Sequence, residues 1–161
     1  MTAEPRIIKH HLREVRALCH YRIVNASQAL GTLSGLVFDP RSLQVIHFLV
    51  TPYGRQDDPV IVPVQLFRSL DDADRMFEVG VSAEGLRSAE RYRPEVLARA
   101  RLIDTFTVTG KTIDGSASRI EDLLVNIDAW QLRYLVIETG SRRVLTDIEW
   151  CSSFGGRNER L

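Results

Sequence analysis

Four histidines, two cysteines and twenty-one carboxylates are the side chains of this chain that could bind a metal or move a proton. Their spacing argues against both. His10, His11, His20 and His47, with Cys19, are the conceivable metal ligands, and no pair of them has the separation of a zinc-binding motif. His10 and His11 fall in an N-terminal segment that reads as frayed, and His47 falls in a strand pattern that reads as core or rim. The acidic groups Asp57-Asp58, Asp71-Asp72-Asp74 and Glu121-Asp122 are chain neighbours. General acid and base work needs carboxylates that converge across a cleft, which neighbours on one turn do not do. No serine stands in a G-x-S-x-G frame, and neither cysteine has a catalytic flank. Gly110 and Gly155-Gly156 belong to no phosphate-cradling pattern. The expectation is a protein with no catalytic residues, no cofactor-binding residues and no metal ligands, hence not an enzyme.

Charge narrows the partners. Lys+Arg and Asp+Glu are each 21, so no net field draws the whole molecule to nucleic acid or to an anionic membrane surface. Any basic site must be local. Lys9 and Lys111 are the only lysines, which leaves 21 − 2 = 19 arginines. Arg91, Arg93, Arg99 and Arg101 form one group and Arg142, Arg143, Arg157 and Arg160 another, the two places where phosphates could be touched. Glu84, Glu90 and Glu95 interleave with the first group, and no aromatic platform for stacking bases stands beside either. The N-terminus lacks an apolar signal region, and no stretch approaches the roughly 18 apolar residues of a membrane span. Cys19 and Cys151 are far apart and in no paired motif, which fits free thiols in a reducing compartment. A soluble, cytoplasmic protein is expected.

The elements that would position any site come from internal self-similarity, which is sought before secondary structure. Leu33 to Val50 aligns without a gap on Ile120 to Ile137, a shift of 120 − 33 = 87. Leu36 meets Leu123, Asp39 meets Asn126, Gln44 meets Gln131, and His47 falls on Tyr134. Val60 to Phe67 then aligns on Arg143 to Trp150 at a shift of 150 − 67 = 83, so the first copy's intervening turn is longer by 87 − 83 = 4 residues. Each block reads as strand, turn, strand, turn, strand. Simple alternation puts Leu43, Val45, His47 and Leu49 on one face, and Trp130, Leu132, Tyr134 and Val136 on one face of the second copy. Phe48, Phe67, Tyr134 and Trp150 read as core. Between the copies, Met76 to Val81 reads as a strand, Ser82 as a helix N-cap, and the rest as a partly helical, mostly exposed connector.

These segments, LSGLVFDP or IEDLLVN, then QVIHFLV or WQLRYLVIET, then VIVP or RVLT, resemble the PRC-barrel family. That small β-barrel occurs in the photosynthetic reaction centre H subunit and in a small-subunit ribosome maturation factor. The resemblance runs from about Leu12 to Trp150 and implies a mainly β fold: two tandem small PRC-type β-barrels with a partly helical connector. The expected limits are 12–81 for the first copy, 82–103 for the connector and 104–154 for a second, shorter copy. The second copy shows no counterpart of Met76 to Val81, so its open edge is expected to be paired by the first copy or by a second chain. The first copy's Ser27-Gln28 stands where the second has Asp114-Gly115.

Together with the absence of readable catalytic residues and the incomplete second copy, the resemblance leads to the expectation of a non-enzymatic protein-interaction adaptor or scaffold, acting as a homodimer. The alternative it raises is a ribosome- or RNA-associated maturation factor. Peripheral association with a membrane complex is compatible with either. Tyr53 and Arg55, on the longer turn, and Arg142 and Arg143, on the last strand, are the residues expected to meet a protein partner.

Overall fold

The computed structural model describes residues 11–26, 28–54, 58–112 and 118–148. Strand β1 (Leu12–Glu14) runs into a single helical turn, α1 (Val15–Leu18). Four strands follow: β2 (Arg22–Asn25), β3 (Gln28–Phe38), β4 (Val45–Pro52) and β5 (Val60–Pro63). A 3-10 turn at Val64–Leu66 leads to β6 (Phe67–Asp71) and β7 (Met76–Val79). The connector holds α2 (Ala83–Arg87) and α3 (Pro94–Ala100), then β8 (Ile103–Asp104) and α4 (Thr105–Val108). Last come β9 (Arg119–Asn126), β10 (Gln131–Thr139) and β11 (Arg142–Asp147).

The chain is mainly β, in two sheets. One has the order β5-β4-β3-β2-β7-β6, with β8 also paired to β3; the other has the order β1-β9-β10-β11. Among the described residues neither sheet closes on itself as a barrel.

Each central hairpin is built by the same local chemistry. Asp39 Oδ1 accepts from the Arg41 N–H at 2.9 Å, and Asn126 Oδ1 accepts from the Asp128 and Ala129 N–H groups at 2.8 and 3.1 Å. Short polar side chains at these positions hold the turn by bonding their own backbone two residues on. Leu43 and Trp130 then both adopt the left-handed region, with φ of 64° and 50°. That conformation costs a residue with a Cβ about 1–2 kcal/mol. It is held by reciprocal hydrogen bonds between the hairpins: the Val45 N–H donates to Trp130 O at 2.8 Å, and the Leu132 N–H donates to Leu43 O at 2.9 Å. Gln44 and Gln131 form a bridge at the same crossing. Each side chain reaches over the other hairpin, Gln44 Nε2 to Ala129 O at 2.9 Å and Gln131 Nε2 to Ser42 O at 3.1 Å. The hairpins thus meet back to back about an approximate two-fold axis.

Register corrects the simple alternation. In β4, Val37 pairs with His47 but Phe38 pairs with Val45, so Ile46 is an extra residue; in β10, Leu132 pairs with Val125 but Tyr134 pairs with Leu124, so Arg133 is extra. A bulge reverses which face the following side chains take. Val45 therefore joins Phe48 and Val50 in the main core, whereas Leu49 faces Val37 and Leu97. Likewise Trp130 and Leu132 join Leu135 and Ile137, whereas Tyr134 and Val136 pack with Leu12 and Leu124. The last strand is also corrected by one residue. Val50 pairs with Val60 and Ile137 pairs with Val144, a shift of 144 − 60 = 84, so the first turn is longer by 87 − 84 = 3 residues. A four-residue apolar strand matches its relative almost equally well one position away, and hydrogen bonding, not side-chain likeness, fixes its register.

The expected boundary between copies interleaves in space. β1, at the start of the first expected copy, pairs with β9 through Arg13 and Val125, and Glu14 and Leu124. β8 pairs with β3 through Ile103 and Phe38, and Asp104 and Val37. Each lends its short strand to the other's sheet, so β1 covers an edge of the second sheet. Among the described residues the second sheet has no counterpart of β7. One core results. Phe48, Phe77 and Trp130 are buried within it, and Phe67 packs edge-on at 5.0 Å from Trp130 and 6.3 Å from Phe48. Such tilted ring pairs add about 0.5–1.5 kcal/mol each beyond the area they bury. The connector is largely exposed but pinned: Leu86 enters the main core, Leu97 packs on Val37 and Leu49, and the Tyr92 hydroxyl donates to Asp104. Ser82 caps α2, its hydroxyl accepting from the Gly85 N–H at 2.9 Å.

Candidate interaction surface

Several of the polar residues first considered for chemistry have structural partners. His11 Nδ1 lies 2.7 Å from Asp128 Oδ2 and His11 O accepts from the Ile127 N–H, so this histidine is anchored, contrary to the expected fraying; His10 lies outside the described residues. His47 is half-buried, and burial pushes its imidazole below the usual histidine range despite the opposing charge of Glu90. Among the described residues its Nδ1 has no hydrogen-bond partner, and neither has the Trp130 Nε1, which sits beside Phe48 and Phe67. Asp58 pairs with Arg91 at 3.1 Å, while Asp57 is outside the described residues. Asp71 Oδ1 accepts from the Asp74 N–H. Asp72 takes a two-pronged contact from Arg13, at 2.6 and 3.1 Å, and a hydrogen bond from the Tyr21 hydroxyl. The Arg13 guanidinium holds the Asp72 carboxyl below the usual carboxylate range, and burial together with Asp72 pushes the Tyr21 phenol up to about 12.

Asp122 is different, because it is buried at 2% exposure. Its Oδ1 accepts from the Arg16 and Leu123 N–H groups at 3.1 and 2.8 Å, and burial pushes its carboxyl up. It sits on a second bulge, where Val136 pairs with Asp122 and Ile137 with Ile120. The matching bulge on β3 has Leu49 paired with Gly35 and Val50 with Leu33, and there Thr105 Oγ1 accepts from the Leu36 N–H at 3.1 Å. Two different side chains thus satisfy the same backbone donor. Among the described residues no group of three or more His, Cys, Asp or Glu is placed to hold a metal ion.

An apolar groove of about 690 Å³ lies on the outer face of the second sheet. Leu12, Leu124, Val136 and Leu145 make its floor and wall, and the ion pairs Arg13–Asp72 and Arg143–Glu14 frame it. Beside it β11 is the outer strand of its sheet, with no strand beyond it among the described residues. Val144 and Leu145, on opposite faces of β11, are 40% and 45% exposed. Exposed aliphatics on a strand with an unpaired edge are the usual template for adding another strand.

Of the four residues expected at a partner surface, Arg142 and Arg143 lie on β11. Arg142 is exposed; Arg143 is bound by Glu121 at 2.8 Å and Glu14 at 3.6 Å. Tyr53, 53% exposed, follows β4 and lines a different, smaller depression with Leu30 and Leu86. Arg55 lies outside the described residues, as do Arg157, Arg160, Cys151 and Trp150. Tyr53 and the β11 arginines belong to different sheets. Sequence reading missed Val144, Leu145 and the exposed Phe106, and it assigned Val136 to the wrong face because it had no sign of the bulge at Arg133. No helix among the described residues is long and apolar enough to cross a membrane. No protein-family model and no curated protein sequence matches this chain.

Proposed function

We propose that this chain is a non-enzymatic protein-interaction adaptor made of two PRC-barrel-like units, and that it takes its partner on the outer edge of β11. The observation that carries the reading is that edge: among the described residues no strand lies beyond β11 in its sheet, and Val144 and Leu145 are exposed. Strand addition to such an edge draws affinity from main-chain hydrogen bonds and specificity from alternate side chains. The two-unit reading is supported by the bulges, turns and left-handed residues that recur at positions 87 apart, Leu43 with Trp130 among them. A second copy is the simplest partner, because β11 laid antiparallel on its own copy makes an isologous dimer.

Light scattering across a concentration series tests the dimer. A dimer that Val144→Lys converts to monomer is the expected result, and a strict monomer at every concentration rules the dimer out. The RNA-associated alternative draws less support, since Arg91 and Arg143 are neutralised by Asp58, Glu121 and Glu14. Salt-sensitive co-sedimentation with ribosomal particles would move the reading to that class.

A further inference from the structure

The groove on the second sheet has a twin on the first, and the twin shows what such a groove receives. Leu124 and Val136 stand where Val37 and Leu49 stand 87 residues earlier. Leu145 takes the place of Ile61, and Leu12 that of Leu102. Each set holds one valine and three leucine or isoleucine side chains, so the two walls are built from nearly the same apolar volume.

One continuous segment of the connector fills the first groove. Residues 90–92 lie antiparallel on the outer side of β5: Arg91 bridges Val60, the Ile61 N–H donates to Glu90 O at 2.8 Å, and the Tyr92 N–H donates to Pro59 O at 2.9 Å. Tyr92 packs in the groove and its hydroxyl donates to Asp104. Arg93 is extended, as suits a residue before proline; Pro94 opens α3, and Leu97 closes the groove at 4% exposure. This is strand addition followed by one helical anchor, made within a single chain.

The second sheet repeats the receiving half. Val144 matches Val60, so the Leu145 N–H and the Arg143 carbonyl match the Ile61 N–H and the Pro59 carbonyl. Glu14 matches Asp104, the acceptor of the Tyr92 hydroxyl. Among the described residues no segment stands to β11 as residues 90–97 stand to β5. One position is reversed in charge. Asp58 pairs with Arg91 at 3.1 Å, and its match, 142 − 58 = 84 residues on, is the exposed Arg142. A segment complementary to β11 therefore carries an acid where the connector carries Arg91.

We propose that β11 and its groove receive a segment of another protein that pairs antiparallel with β11 and then enters a short helix, in the pattern acid-Tyr-x-Pro-x-x-Leu. The acid meets Arg142, the tyrosine lies in the groove with its hydroxyl toward Glu14, and the leucine closes the groove as Leu97 closes its twin. This rests on the adaptor reading and gives the chemistry of its partner.

The test uses the full chain and labelled peptides of its own residues 88–101, one unchanged and one carrying Arg91→Glu, with binding read by fluorescence anisotropy. A second copy would compete for the same edge, so titrations are made at chain concentrations where light scattering shows monomer. The Arg91→Glu peptide is expected to bind the wild-type chain several-fold more tightly than the unchanged peptide, and the order is expected to reverse on an Arg142→Glu chain. Leu145→Asp, which puts a charge in the groove, should weaken binding about tenfold or more. Arg142 and Leu145 are exposed, and unchanged circular dichroism melts of both variants show that the fold is kept. Binding indifferent to Arg142→Glu and Leu145→Asp would place the peptide elsewhere, including on the first sheet in exchange for the connector, and overturns the proposal. No binding of the Arg91→Glu peptide also overturns it; the adaptor reading survives that result if the chain dimerises at higher concentration and Val144→Lys abolishes the dimer, and falls with it if no dimer forms.

Discussion

At the scale of single residues, two buried titratable groups give the clearest expectations. Burial pushes the Cys19 thiol up to about 12, with the Asp122 charge adding to it, and a thiol held neutral is a poor nucleophile. Alkylation by iodoacetamide at pH 8, followed on the Cys19 peptide, is expected to be far slower in the native chain than in urea; equal rates would contradict the burial. Asp122 is raised by burial above the ordinary aspartate value of 3.8. The folded chain then keeps a proton that the unfolded chain has already released, so stability is lost as pH rises from 3.8 through the raised folded value. Asp122→Asn keeps an oxygen acceptor for the Arg16 and Leu123 N–H groups and removes the titration. Urea midpoints at pH 4 and pH 7 should therefore shift in favour of the variant at the higher pH, and a constant difference between the two chains would refute this account.

At the scale of elements, the pairing of β3 with β4 depends on one glycine. A Cβ at Gly31 would stand 2.3 Å from Thr51 O and 2.9 Å from Pro52 Cα, both backbone atoms of the neighbouring strand. Gly31→Ala must push the strands apart, and overpacking of this kind costs about 1–3 kcal/mol. Chemical denaturation is expected to show the loss. Much of the element order was legible, because strand-turn-strand blocks announce themselves through Asp39-Pro40 and Asn126 and through β-branched runs. The bulges at Ile46 and Arg133 were not, since an extra residue in a strand changes its register without changing its composition.

At the scale of the whole molecule, the shared core makes the two expected copies one cooperative body. Trp130 of the second unit packs 5.0 Å from Phe48 and 5.7 Å from Phe77 of the first. β1 and β8 are exchanged between sheets. Neither half should unfold alone. In a Trp150→Phe chain, Trp130 fluorescence and far-ultraviolet circular dichroism are expected to trace one coincident transition; separate midpoints would mean two independent domains. Trp130→Ala, which empties the centre, should cost about 3–5 kcal/mol by the same measurement.

The sequence by itself determined the mainly β character, the spacing of 87 between the hairpins, the turn residues and the capping of α2 by Ser82. These follow from local rules, in which a residue's type and its near neighbours fix backbone preference. Only the tertiary structure decided which side chains face which core, that β1 and β8 change places, and that the apolar residues of the second sheet's outer face line an open groove. Those outcomes depend on hydrogen-bond register and on contacts between residues about a hundred positions apart, such as Leu12 and Leu124. Such pairings leave no local mark, and so the surface most able to receive another chain segment became visible only in the folded molecule.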